Sequence, residues 1–144
     1  MLLEKEYPKR PLVGVGAVIM DVNHILLIKR SQEPGKGKWS VPGGLVELGE
    51  DVRAAAKREI EEEVGLKIIV KDLLGVFDYV QRDVKNNVQF HYVLIDFLAE
   101  RENQELKLNR EVSQTLWVTV EDALSLDLTD TTRELLNCMN INPQ

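Results

Sequence analysis

The run Arg58-Glu59-Ile60-Glu61-Glu62-Glu63 places four carboxylates and one guanidinium in a short stretch of chain that reads as helix. At ~100° per residue, Glu63, Glu59 and Glu62 fall in that order across an arc of about 100° beside Ile60, while Glu61 points elsewhere. Glu59 and Glu63 form an i, i+4 like-charge pair, and all three lie near a helix C-terminus, where the macrodipole disfavours anions; each effect costs roughly a few tenths of a kcal/mol. Arg58 can relieve part of this by pairing with Glu62 at i+4, but one cation does not neutralise three anions. An acidic helix face is often merely solvated. Several local rules failing at one place point instead to function, and crowded hard oxygen donors suit Mg²⁺ or Mn²⁺.

The elements that must carry this cluster follow from periodicity. Residues 52–64 repeat apolar side chains at Val52, Ala56, Ile60 and Val64, broadened by Ala55, which predicts a helix ended by Gly65 in a C′ position. Residues 12–20 read as a strand with Gly14 and Gly16 permitting close backbone approach, and a turn at 21–24 returns the chain through 25–29 as a hairpin. A loop at 31–38 leads through Trp39 to Gly44 into a short extended stretch. Strands are expected at 66–74, 76–81, 88–99 and 115–120, with a polar loop between 100 and 113. A helical turn at 121–124 and a closing helix at 129–138 follow, with Thr131 and Glu134 spaced as a capping box. The fold class is therefore α+β, helices packed on a mixed sheet, as one domain over residues 1–144.

Composition bounds the function. Among 144 residues 44% are hydrophobic and 29% charged, and the net charge of −6 argues against nucleic-acid polymers, which are bound through clustered Lys and Arg. Small phosphates remain compatible with an acidic site when divalent cations lie between carboxylate and phosphate. No apolar run approaches the ~20 residues of a membrane span, and residues 1–10 are unlike a signal peptide, so no membrane partner and a cytoplasmic location are expected. Cys138 is the only cysteine, which excludes an internal disulfide and a thiolate zinc cluster; it reads as a small core residue.

Gly44, five residues, Glu50, seven residues, then Arg58 to Leu66 resembles the complete signature of the Nudix hydrolase family, every fixed position filled. Seven fixed residues at ordinary frequencies recur by chance with odds on the order of one in a billion per start position. The flanking order is also similar to the family: a hairpin, Trp-x-x-Pro-Gly-Gly, later strands, and Leu116-Trp117-Val118 before a closing helix. The resemblance implies an α/β/α sandwich around a mixed β-sheet. In it Glu59, Glu62 and Glu63 hold Mg²⁺, for which Mn²⁺ substitutes, together with the carbonyl of Gly43. It implies that Arg58 orients, and that Glu50 is a structural or auxiliary acid on the metal side. Cleaving a pyrophosphate needs charge neutralisation on bridging oxygens and a water made nucleophilic at neutral pH, and bound divalent ions supply both.

A general base is still required. Glu111, in the loop before the 115–120 strand, and a helix glutamate are the alternatives. Arg30 and Lys38 are candidate phosphate contacts, and Trp39, Phe77 and Tyr79 candidate base-stacking residues, with Trp117 a further aromatic of the same kind. His24 and His91 have no nucleophilic partner pattern and read as structural or exposed, and Gly14 with Gly16 lacks the rest of a dinucleotide fingerprint. The expected reaction is Mg²⁺-dependent hydrolysis, by attack at phosphorus, of a nucleoside diphosphate linked to another moiety, ADP-ribose first among them. A nucleoside triphosphate substrate is the alternative. A catalytically inactive nucleotide-binding module is disfavoured by the intact Glu59, Glu62 and Glu63. The assembly state, including a homodimer, is left open by the sequence.

Overall fold

A computed structural model describes residues 4–103, 105–108 and 112–141. Its chain order is β1 (Leu12–Asp21), β2 (His24–Arg30), β3 (Trp39–Ser40), β4 (Gly43–Leu45), α1 (Val52–Val64), β5 (Ile68–Arg82), β6 (Val88–Arg101), β7 (Val112–Thr119), α2 (Val120–Ala123) and α3 (Asp130–Ile141). The hydrogen-bonded path runs β3-β2-β1-β6-β5, with β4 added to β1 and β7 to β2. The sheet is mixed, because β1 runs parallel to β6 while its hairpin partner β2 is antiparallel.

Strand β1 forks along one edge. Its first half pairs with β4, Gly14 to Gly16 facing Leu45 to Gly43, and its last residues pair with β2 through Met20↔Ile25 and Asp21↔His24. That fork brings the segment leading into α1 against the sheet's middle. Side chains then alternate between two cores, as a strand's period of two requires. Ala17, Ile19, Leu26 and Ile28 pack under Ile60 and Val64 of α1, whereas Val18, Ile25 and Leu27 pack under Leu135 and Leu136 of α3. The large side chains at these positions are almost fully removed from water, each such burial stabilising by roughly 1.5–3 kcal/mol. The expected α/β/α sandwich is the observed one.

Helix α1 begins and ends as read from sequence. Asp51 caps it, its carboxylate accepting from the Ala54 N–H at 2.8 Å, and Gly65 closes it at φ 77° with its N–H bonded to the Glu61 carbonyl.

Four expectations are corrected. The strands placed at 66–74 and 76–81 are one strand, β5: the long partner β6 offers a continuous ladder, so register shifts between Val70 and Gly75 absorb the irregularity without ending the strand. The capping box of Thr131 and Glu134 does not form. Thr129 does the capping, its hydroxyl accepting from the Thr132 N–H at 3.4 Å, and Thr131 is buried. Strand β7 starts at Val112, and Val120 opens α2 under a Thr119 cap. Cys138 is exposed, because α3 turns Leu135 and Leu136 inward and leaves Cys138 outside that stripe. No helix among the described residues is long and apolar enough to cross a membrane.

Candidate active site

Arg58 organises the acidic end of α1. Its Nε donates to Glu50 Oε2 at 2.6 Å and Nη2 to Glu50 Oε1 at 2.8 Å, a bidentate grip on a residue of the loop entering the helix. Nη1 donates to Glu59 at 2.7 Å and to Glu62 at 3.2 Å, Glu47 lies 3.8 Å away, and Nη2 also reaches the Leu45 carbonyl at 3.0 Å. The i+4 pairing with Glu62 expected from spacing is present, but Glu50 is the stronger partner. Two charge-assisted bonds in the plane of the guanidinium fix its orientation. The Arg58 grip, together with a Glu47 backbone N–H, holds the Glu50 carboxyl down at about 2, and Glu50 followed by Glu59 raises the affinity of Arg58 for its proton.

Glu63 occupies a different environment. It is 7% exposed and accepts the Gly43 N–H at 2.9 Å, tying α1 to β4 across the fork. The two glycines of β4 are there because side chains do not fit. A Cβ on Gly43 would collide with the Val15 carbonyl of β1, and a Cβ on Gly44 would collide with the Glu59 carboxylate. The Gly43-Gly44 pair thus shapes a cradle into which Glu59 projects.

Glu59, Glu62, Glu63, Gly43 and Gly44 line one wall of a cleft of about 1340 Å³. Arg30 and Lys38 line it from the 30–38 segment, and Tyr79 from β5. The Arg30 Nε donates to the Pro34 carbonyl at 2.7 Å, which pins the guanidinium to its own loop. Trp39 and Phe77 are placed elsewhere: both pack against the core beneath α3 and do not line the cleft. Trp117 packs against the α1 core, with the Arg101 guanidinium 4.5 Å from its ring. Glu111 lies outside the described residues.

The donor set along this wall is all oxygen, as a hard divalent cation requires, and the cradle at Gly44 leaves room for the Glu59 carboxylate. Among the described residues no three acidic, histidine or cysteine side chains are already closed around a common point. Side-chain adjustment of Glu62, more than half exposed on α1, is compatible with closing such a set. The residues fit a divalent ion in kind and location.

Sequence reading missed several cleft residues. Glu47 joins the Arg58 cluster from the loop, and Thr131 and Thr132 at the start of α3 reach the cleft because α3 crosses its rim. Ser40 and Asp96 are buried in its lining. The Ser40 hydroxyl has no hydrogen-bond partner among the described residues, and burial alone pushes the Asp96 carboxyl up to about 6. Neither carries a local spacing signal, since each is an isolated polar residue in an apolar strand pattern. An Asp inside the run Tyr92 to Ala99 was the only cue available.

Comparison with known proteins adds an independent observation. The NUDIX domain family matches residues 10–137. The ADP-ribose pyrophosphatase of Methanocaldococcus jannaschii is 42% identical over 104 residues, covering 72% of this chain and 59% of that protein, so the match spans less than two thirds of that relative. The nucleoside triphosphatase NudI of Escherichia coli K12 is 31% identical over 120 residues, 77% of this chain and 84% of that one. In structure, a MutT NUDIX hydrolase from Burkholderia pseudomallei superposes with a TM-score of 0.78 at 37% identity, over 90% of this chain and 98% of the other.

Proposed function

This chain belongs to the NUDIX domain family, and from that premise we propose that it is a Mg²⁺-dependent pyrophosphohydrolase acting on a nucleoside diphosphate linked to another moiety, with ADP-ribose the lead substrate. The observation that carries the proposal is the cleft wall itself: Glu59, Glu62 and Glu63 beside Gly43, braced by Arg58. In this reading Glu59, Glu62, Glu63 and the Gly43 carbonyl hold Mg²⁺ or Mn²⁺. A bound divalent ion supplies charge neutralisation on the pyrophosphate oxygens and acidifies a water.

The chain's own residues do the positioning. Arg58, held by Glu50, sets the Glu59 and Glu62 carboxylates relative to one another. Glu63 is fixed through the Gly43 N–H, so helix and strand present their oxygens as one unit. Lys38 and Arg30, which line the same cleft from the 30–38 segment, are assigned to phosphate oxygens, and the half-buried Tyr79 ring to the base. Proton removal from the attacking water falls to Glu111 or to Glu62. A chain with one cysteine has no use for an oxidising compartment, which supports the cytoplasm as its location.

The relative that is an ADP-ribose pyrophosphatase supports the diphosphate reading, and the relative that is a nucleoside triphosphatase supports a second one, release of pyrophosphate from a nucleoside triphosphate. One screen separates them: purified protein with Mg²⁺ in ¹⁸O-water against ADP-ribose, NADH, diadenosine polyphosphates, nucleotide sugars and the triphosphates. The expected result is AMP and ribose 5-phosphate from ADP-ribose, with label in a phosphate. Pyrophosphate from a triphosphate moves the assignment to the second reading, and label in a sugar hydroxyl rejects attack at phosphorus. Activity should vanish in EDTA and be weak with Ca²⁺, which prefers more ligands at longer distance. Full turnover in excess EDTA rejects the metal assignment.

A further inference from the structure

Asp96 lies in the middle of β6, in register with Gly16 of β1 on one side and Gly75 of β5 on the other. It is 5% exposed, and its carboxylate receives no hydrogen bond or ion pair from any described residue. A Cβ built on Gly16 would come within 2.6 Å of Asp96 Oδ1 and 3.2 Å of the Pro42 carbonyl. The carboxylate therefore leans over β1 into space that only glycine leaves open, and it lines the cleft. A buried carboxylate without a partner is costly to the fold. One kept in the wall of a cleft is suited to a partner that arrives with the ligand.

The chemistry of that partner is constrained. An ionised carboxylate only accepts, so the ligand must bring an N–H or O–H, and phosphate oxygens are repelled. The adjoining lining offers apolar and aromatic faces, Leu94, then Tyr92 and Tyr79, whose ring centroids are 6.3 Å apart, with the Arg30 guanidinium near enough to act on both tyrosine hydroxyls. A nucleobase combines flat apolar faces for such walls with donors in its plane. Gly16 also pairs with Gly43, so the backbone of Asp96 stands two strand spacings, ~10 Å, from the strand that meets the glutamates, and its carboxylate leans back over β1 toward that strand.

We propose that Asp96 determines base specificity by accepting a hydrogen bond from an exocyclic amino group of the substrate's base. The inference rests on the cleft being a nucleotide site. Burial holds the carboxyl at about 6, so it is ionised at neutral pH and above, as an acceptor must be.

Binding of nucleotide pairs differing at the amino group tests this by calorimetry with Mg²⁺: ADP against purine riboside 5′-diphosphate, GDP against inosine 5′-diphosphate, CDP against UDP. The wild type should favour the amino-bearing member of at least one pair by ~10-fold or more, the weight of a hydrogen bond to a charged group. Asp96→Ala should bring that ratio within about twofold, and leave affinity for inorganic pyrophosphate unchanged within the same margin. The isosteric Asp96→Asn should melt higher than the wild type, since it removes an unpartnered buried charge. Ratios unmoved in Asp96→Ala, or absent in the wild type, overturn the inference while nucleotide binding itself upholds the proposed function. If the wild type binds none of these nucleotides, the nucleotide reading falls and takes the inference with it. A lower melting temperature for Asp96→Asn with unmoved ratios assigns the residue to the fold and likewise overturns the inference.

Discussion

Arg58 holds Glu50 through two parallel hydrogen bonds, Nε to Oε2 at 2.6 Å and Nη2 to Oε1 at 2.8 Å, although the two residues lie on opposite sides of the N-cap of α1. The grip determines where the remaining guanidinium nitrogen points, and that nitrogen carries Glu59 and Glu62.

The first prediction follows from the sign of the Glu50 shift. Its carboxyl is lowered from 4.5 to about 2, so its ion pair supports the fold fully above the unfolded value and is lost as pH falls from 4.5 through about 2. A carboxyl-carbon NMR titration should give a Glu50 midpoint near 2, and the stability difference between wild type and Glu50→Gln should shrink over that window. The same variant should lower kcat by about 10–100-fold, as loss of an outer support for site ligands does. A midpoint above 4 would show that the clamp does not form in solution.

Gly44→Ala should be more damaging than its size suggests. The added methyl would occupy the place of the Glu59 carboxylate, and displacement of a site group by about 1 Å costs on the order of 10²-fold in rate. Glu59 lines the cleft with 21% of its side chain exposed, so the expected signature is a fall in kcat and Mg²⁺ affinity with a cooperative melt retained. Wild-type kcat would show that the position of Glu59 is immaterial.

Much of this site was legible in the sequence because its determinants are local. The helix carrying Glu59, Glu62 and Glu63, its Gly65 terminus and the Arg58–Glu62 pairing all depend on residues within one or two turns. What escaped reading depends on partners distant in the chain. Asp96 meets Gly16 only because β6 runs parallel beside β1, and β5 continues through its irregularities only because β6 is long enough to pair with it. Trp39 and Phe77 are aromatic near the motif in sequence order, but the strand period turns both toward α3. Cys138 was misplaced by composition, since a small apolar residue in a helix carries no phase information by itself.

Asp96 gives a pH dependence of the opposite kind to Glu50. Its folded value is raised from 3.8 to about 6, so its protonated form stabilises below pH 3.8 and that contribution is lost as pH rises through about 6. The shift corresponds to stability on the order of 3 kcal/mol across that window. Asp96→Asn should remove this part of the slope, so that the variant gains on the wild type between pH 4 and 6 in denaturant melts. Parallel curves for the two proteins would show that the carboxyl is solvated.

The last prediction separates the two bases left open. Glu62 is the most exposed of the three helix glutamates assigned to the metal and among the described residues is held through Arg58 at 3.2 Å, whereas Glu63 is buried against the Gly43 N–H. Glu62→Gln should therefore leave the melting temperature unchanged or raise it by relieving like-charge repulsion, while Glu63→Gln disturbs the junction of α1 with β4. Both should nearly abolish turnover through the metal site, so kcat in these variants does not by itself identify the base. Glu111 provides the separation. If it takes the proton, Glu111→Gln lowers kcat by roughly 10²–10⁴ with KM little changed, and the lower limb of the pH–kcat profile disappears with it. A fall under about tenfold with that limb retained moves the role to α1, where Glu62 has the exposure to meet a water and the Arg58 contact to hold it in place.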